Sequence, residues 1–376
     1  MTLFDPALVD LWHRTGRAAR DDRKRLVALY GVLVTPVALL LGALVFRLID
    51  AGEPALGALR RPIAYVIAPF HDAWMADRDL ALLLYVLVEG ILLSAVWGFF
   101  GGAVSRMAAV HLATDRKETA PAAIAFARRH FRGFAGARAA LWASTLIPVV
   151  LAIFVSAAGR LPGMAGAILF PPAIAVAGLL ALVAVVAGSL AAVAGFLTSP
   201  TIACEDSDAF DAVSRVYGYA AAGLPRLVGI RLFFLGGVLV GSTWRLARTA
   251  AVVVLLCLVI QAGAGPDALR RLTDVLYDLG RGAPMSGFGT SLAALTLALV
   301  VGGLAALWLA DLVSRVLCAR VGAYLALRRL IDRVAPTELR TAPAATGRLS
   351  AEAAGFVEVD RVGAGAGAAR RPSGAP

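Results

Sequence analysis

The sequence predicts an all-α integral membrane bundle of six transmembrane helices, with interfacial amphipathic elbow helices and a disordered C-terminal tail. Three observations predict it. First, the 376 residues are 60% hydrophobic and only 16% charged, against about 45–50% and about 25% in soluble domains. Second, six apolar runs are long enough to span, since about 20 residues at about 1.5 Å rise cross a hydrocarbon core about 30 Å thick. Third, the 36 basic residues alternate in density along the chain, 25 falling in one set of connecting segments and the termini, 7 in the other, and four (Arg47, Arg106, Arg245 and Arg248) within or at the edges of spans. Cytoplasmic loops carry the excess of Lys and Arg, so the asymmetry places both termini in the cytoplasm. Almost all the basic residues are arginine, a composition of high-GC bacterial genomes, and the expected location is a bacterial inner membrane.

The N-terminal segment 1–25 is polar and basic and reads as cytoplasmic. The first span is "LVALYGVLVTPVALLLGALVF", 26–46. Its apolar run is too long for a cleaved leader and reads as a signal anchor, with Pro36 tolerated as a kink. The 49–79 loop carries Trp74 and "RRPIAYVIAPFHDAW", whose aromatic residues suit a short helix on the outer surface. The second span starts near Leu80, "LALLLYVLVEGILLSAVWGFFGGAV". The third is 139–159 and the fourth 172–197. The fifth is hardest to place, because 227–265 holds only Arg231, Arg245 and Arg248 as charges. Those residues would make about 58 Å of helix, so a single kinked helix is expected, spanning near Gly237–Leu258. The sixth span is 291–310. The spanning domain therefore covers 26–335. The segment 336–376 is rich in Ala, Gly and Pro without apolar periodicity and reads as disordered.

Residues 198–219, "TSPTIACEDSDAFDAVSRVYGY", follow 26 uncharged residues and hold four acids within seven positions. Pro200 disfavours helix continuation, so the fourth span is expected to end near Thr198. Ser207 or Asp208 then supplies an N-cap, and Asp211 suits the positive end of a new helix. Asp211 and Arg215 stand at i and i+4. Phe210, Val213, Val216 and Tyr217 share one side, which predicts a short helix lying in the inner interface. "AGLPR" should turn the chain back into the membrane. A similar plan precedes it: "AFARRH" at 125–130 aligns with "AVSRVY" at 212–217, an offset of 87 that suggests internal duplication, with "LVSRVL" at 312–317 a weaker echo.

The string Pro200…Glu205…Phe210-Asp-Ala-Val-Ser-Arg215, with "WGFFGGAVSR" (97–106) and "VGAYLALRRLIDR" (321–333), resembles a group of bacterial polytopic membrane proteins of unknown function. That group includes the membrane domain fused to some glycerophosphodiester phosphodiesterases. The resemblance covers about residues 80–335 in layout. It implies a fold and almost no chemistry, because these 376 residues contain no phosphodiesterase catalytic domain to which that activity could carry over.

Catalytic patterns are absent from the sequence. The four histidines, His13, His71, His111 and His130, form no HExxH or paired arrangement, although "HLATD" sets an acid four residues after His111. There is no phosphate loop and no GxSxG. The cysteines, Cys204, Cys257 and Cys318, have no disulfide or zinc spacing. No cofactor or metal is expected, and the basic residues lie between apolar runs rather than along a nucleic-acid-binding face. The exceptions to a bland bundle are Glu89, Arg245, Arg248 and Asp311, ionisable groups in or near apolar spans, where such groups are costly. Glu89 lies about 14 Å from one end of its span and, if the fifth span starts at Gly237, Arg248 about 16 Å from the other end of its own, so depth matching predicts that they pair. A start at Val228 would instead let Arg245 and Arg248 snorkel to the outer interface. The expected function is non-catalytic, a membrane-organising protein or complex subunit whose partners are lipids and other membrane proteins. The alternative is a transporter or permease subunit using the intramembrane charges.

Overall fold

Helix order follows directly from the apolar runs. The computed structural model describes residues 6–49, 79–157, 163–265, part of 267–275, and 288–335. Its described helices are α1 (Pro6–Ala18), α2 (Asp22–Ile49), α3 (Asp79–Thr114), α4 (Ala120–Arg129), α5 (Phe131–Ser156), α6 (Gly163–Ala194), α7 (Thr198–Glu205), α8 (Ala209–Ala264) and α9 (Phe288–Ile331). Six helical stretches are long and apolar enough to cross a membrane. The chain is thus an all-α, multi-pass membrane bundle. The 49–79 surface helix, beyond the end of α2, and the tail 336–376 lie outside the described residues.

Most spans pack against a neighbour in sequence, and the last span also closes on the first. α5 lies along α6, α2 along α3, and α9 against both α2 and α8. Buried side chains concentrate at one end of the bundle. There Leu8, Leu112, Phe134, Leu197, Ile202, Val216 and Leu327 form one continuous cluster. At the other end the helices present apolar side chains outward, among them Phe154, Leu182, Leu258 and Leu299. Lipid tails are as apolar as these side chains, so nothing drives that surface inward.

The N-terminal segment is not a loose polar tail. α1 places Leu8, Leu11, Thr15 and Ala18 at helical spacing on one buried face and packs against α9 and α3. Asp21 caps the next helix, its side chain accepting from the Arg23 amide at 3.2 Å.

The fourth span differs from expectation at its end. Regular helix stops at Ala194, a 3₁₀ turn covers Gly195–Leu197, and α7 then carries helix on through Pro200 to Glu205. Pro200 is the third residue of α7, in the first turn, where no intrahelical partner is required of its missing N–H. A Cβ on Gly195 would come within 2.7 Å of Leu141 Cδ1, so glycine lets the turn approach α5. Asp206 ends α7 in the left-handed region, at φ 58°.

The expected elbow and the fifth span form one run, α8, broken where "AGLPR" predicted a turn. Gly223 leaves helical geometry at ψ 72°, two residues before Pro225. The elbow segment of α8 packs one face against the protein. Its buried face is Ala212, Val216, Tyr219 and Ala220, whereas Phe210 is 83% exposed and Val213 and Tyr217 are half-buried. Protein packing uses the face of Ala212 and Val216 and leaves Phe210 outside it. The third span also starts earlier than expected, at Phe131. At the offset of 87 the burial patterns disagree. Ala127 is buried but Ser214 exposed, and Ala125 is exposed but Ala212 buried, so the two elbows are not packed as copies.

Candidate functional site

The four acids after Cys204 are all engaged, two of them sharing Arg215. Glu205 ends α7 and is nearly buried. Its Oε1 accepts from the Tyr324 hydroxyl and from Arg328 on α9, and its Oε2 faces Arg215 on α8. Asp206 Oδ1 lies 2.8 Å from His130 Nε2, at the α4–α5 junction. The Asp208 side chain accepts from the Asp211 amide at 2.8 Å and caps α8. Asp211 lies 3.8 Å from Arg215. What looks from sequence like a polar exit is the tie between α5, α7, α8 and α9.

Supporting contacts make the tie rigid. Tyr219 donates to Asp332 at 2.5 Å, and its ring meets Tyr324 edge-on at 6.2 Å. Arg106 donates to the Ala203 carbonyl at 3.0 Å while its guanidinium covers the Phe126 ring at 4.3 Å. The residues carrying the resemblance, Glu205 and Arg215 in one string, Arg106 in another and Tyr324 with Arg328 in a third, converge on this end of the fold. Burial pushes His130 below the ordinary imidazole value of 6.5, with Asp206 opposing that shift and Arg129 and Arg106 adding to it. Burial raises the Glu118 carboxyl, against the pull of Arg106 at 3.7 Å.

A second cluster forms where the apolar run of α9 ends. Asp311 is 5% exposed. Arg245 Nη1 of α8 and Arg25 Nε of α2 lie 2.6 and 2.8 Å from its Oδ1, and Arg315 Nε lies 2.7 Å from its Oδ2. Three helices meet on one carboxylate, Arg25 from the first turn of α2, Arg245 from the interior of α8, and Asp311 with Arg315 from the interior of α9.

Glu89 and Arg248 are not brought together. Glu89 is 6% exposed and points at α2, where a Cβ on Gly42 would overlap its carboxylate. Neither oxygen meets a basic group among the described residues, and Tyr85, one turn earlier, is the polar neighbour. Arg248 is exposed. Matching depth sets one coordinate and leaves rotation about each helix axis free, and rotation separates the pair. The candidate pair in "HLATD" is likewise split, since His111 Nδ1 lies 3.1 Å from Lys24 Nζ while Asp115 pairs with Arg14 at 2.8 Å. Among the described residues no group of three or more His, Cys, Asp or Glu could hold a metal.

The convergence at Glu205 could not be read from sequence, because its partners lie 119 and 123 residues away. The one available signal was that the motif strings each contain an unexplained polar residue at the edge of an apolar run. No known family model matches the chain, and no curated protein or solved structure matches it either. Function must therefore be read from the chain's own residues.

Proposed function

We propose that this chain is a non-catalytic protein of a bacterial inner membrane, with both termini cytoplasmic, that organises the bilayer around it or serves as a subunit of a membrane complex. The observation that carries this reading is the engagement of the buried acids. Asp311 holds three arginines, and Glu205 holds Arg215, Arg328 and Tyr324, so both are committed to joining helices rather than open to a solute. Long helices with outward apolar faces supply the complementary surface for lipid or partner helices. The groove between α3 and α5 supports the same reading, being lined almost wholly by apolar side chains such as Ile91, Ala139 and Ile147.

A transporter or permease subunit is the second reading, and Glu89 favours it as a buried carboxyl that no basic group balances among the described residues. Reconstitution into liposomes with an interior pH dye and an imposed gradient separates the two. The organising reading expects proton flux equal to that of protein-free liposomes. Flux above that level that disappears in Glu89→Gln would establish the transport reading instead. Reporter fusions within 114–138 and within 263–289 test orientation, with a cytoplasmic signal expected from the first and an exterior signal from the second.

A further inference from the structure

Between α1, α8 and α9 lies a cavity of about 380 Å³, inside the range of about 300–1,000 Å³ typical of small-ligand sites. Its floor is apolar, formed by Trp12, Phe234 and Val238, and Arg17, Arg20 and Arg315 stand around it. Gly237 and Gly241, one turn apart on α8, let two walls of the cavity, Trp12 and Arg315, come close to the helix backbone. A Cβ on the first would overlap the Trp12 indole, and one on the second the Arg315 guanidinium.

Charge around this cavity is unbalanced. Asp311 is already shared by Arg25, Arg245 and Arg315, and Asp22 faces Arg25. Arg17 and Arg20 are exposed and make no ion pair among the described residues, and Arg20 adds its field at Arg245. Arg17 and Arg20 thus line the cavity beside a cluster in which three guanidinium groups already share one buried carboxylate. Arginine presents a planar fork of N–H donors that matches phosphate oxygens. The site also lies where the surface of α8 changes character. Leu239, Val240 and Trp244, next to the cavity, are 64%, 77% and 68% exposed, and they lead onto the apolar length of the helix.

We infer that this cavity seats the phosphate headgroup of an anionic glycerophospholipid, held by Arg17 and Arg20, with acyl chains running along Leu239, Val240 and Trp244. A soluble phosphate would satisfy the arginines but would leave the apolar floor and the adjoining helix surface unused. The site does not depend on whether the protein organises the bilayer or moves a solute.

The test is a titration of the full-length protein in neutral detergent with phosphatidylglycerol, read by thermal shift, with phosphatidylcholine as reference. Wild type should prefer phosphatidylglycerol. The double variant Arg17→Ala/Arg20→Ala should weaken its apparent affinity about tenfold or more, given what each basic side chain contributes at an anionic surface. The variant Arg128→Ala/Arg129→Ala removes the same charge from exposed positions on α4 and should change affinity less than about twofold. Equal losses in the two variants would reduce the effect to overall charge and overturn the site. Glycerol phosphate protecting as well as the lipid would make the ligand a soluble anion and overturn the lipid assignment. A photoactivatable phosphatidylglycerol on wild type needs no variant to fold. Labelling within 236–244 is expected, and labelling confined to other segments would also overturn the proposal.

Discussion

Arg245 Nη1 of α8 lies 2.6 Å from Asp311 Oδ1 of α9, on the same carboxylate that holds Arg25 and Arg315. Removing a buried carboxylate leaves its partners uncompensated, whereas removing one of three arginines leaves it satisfied. Asp311→Asn should destabilise by about 3 kcal/mol, the low end of values for broken buried pairs because Arg25 and Arg245 keep some access to solvent. Arg245→Gln should cost about 1 kcal/mol or less. Unfolding midpoints in detergent test the order, and equal losses would remove Asp311 as the hub.

Glu205 makes a similar prediction on the other side of α9. Glu205→Gln keeps an acceptor for Tyr324 but takes the charge away from Arg215 and Arg328, and should cost about 2 kcal/mol. Tyr324→Phe should cost about 1 kcal/mol. Because the groups share one carboxylate, the double variant should lose less than the sum of the two. Additive losses would mean that the three contacts do not act as a unit.

The elbow of α8 is held by protein packing on the Val216 face. Phe210→Asp, at a position 83% exposed, should change folding stability by no more than about 0.5 kcal/mol. Val216→Asp places an unpaired charge in the core and should cost about 3 kcal/mol or more. Hydrogen exchange over 209–222 in nanodiscs checks both. Loss of protection in the Phe210 variant would show that membrane contact holds the helix instead.

Glu89 faces Gly42, and Arg248 faces outward. Glu89→Gln should therefore leave stability within about 0.5 kcal/mol of wild type or raise it, because a neutral amide is easier to bury than a carboxylate with no basic partner. Arg248→Gln should add independently. A coupling above about 0.5 kcal/mol in the double-mutant cycle would restore the pairing expected from depth alone.

His130 gives the fold a pH dependence. Burial holds its imidazole below the ordinary value of 6.5, so the folded state binds fewer protons than the unfolded chain as pH drops through that region. The stability it contributes is present above about pH 6.5 and is lost as the pH falls toward and through the lowered folded value. His130→Gln should flatten the decline in melting temperature measured from about pH 7 to pH 5. An unchanged slope would assign the dependence to other groups.

Local relationships in this protein were legible in the sequence. The apolar runs of α2, α3, α5, α6, α8 and α9 follow from bilayer thickness and helix rise alone. The Asp208 cap and the Asp211–Arg215 contact follow from spacing within one helix, where the period of the helix sets the geometry. The buried face of α1 is written at helical spacing too, in Leu8, Leu11, Thr15 and Ala18, but the charges of a short polar segment beside long apolar runs obscure it.

Contacts between helices were decided by the tertiary structure. Glu89 illustrates the limit. Sequence placed it at a depth, but each residue turns about 100° around the helix axis, so depth does not say which neighbour a side chain faces. Rotation of α3 sends Glu89 toward Gly42, and packing of α8 through Ala212, Val216 and Tyr219 leaves Phe210 outside. Glu205 meets Tyr324 and Arg328 only because α7 continues past Pro200 and α9 extends to Ile331, lengths no apolar run announces. Hydrophobicity and helix period act along the chain and determined the spans, whereas rotation and close approach between helices depend on every packed neighbour at once and determined the polar clusters.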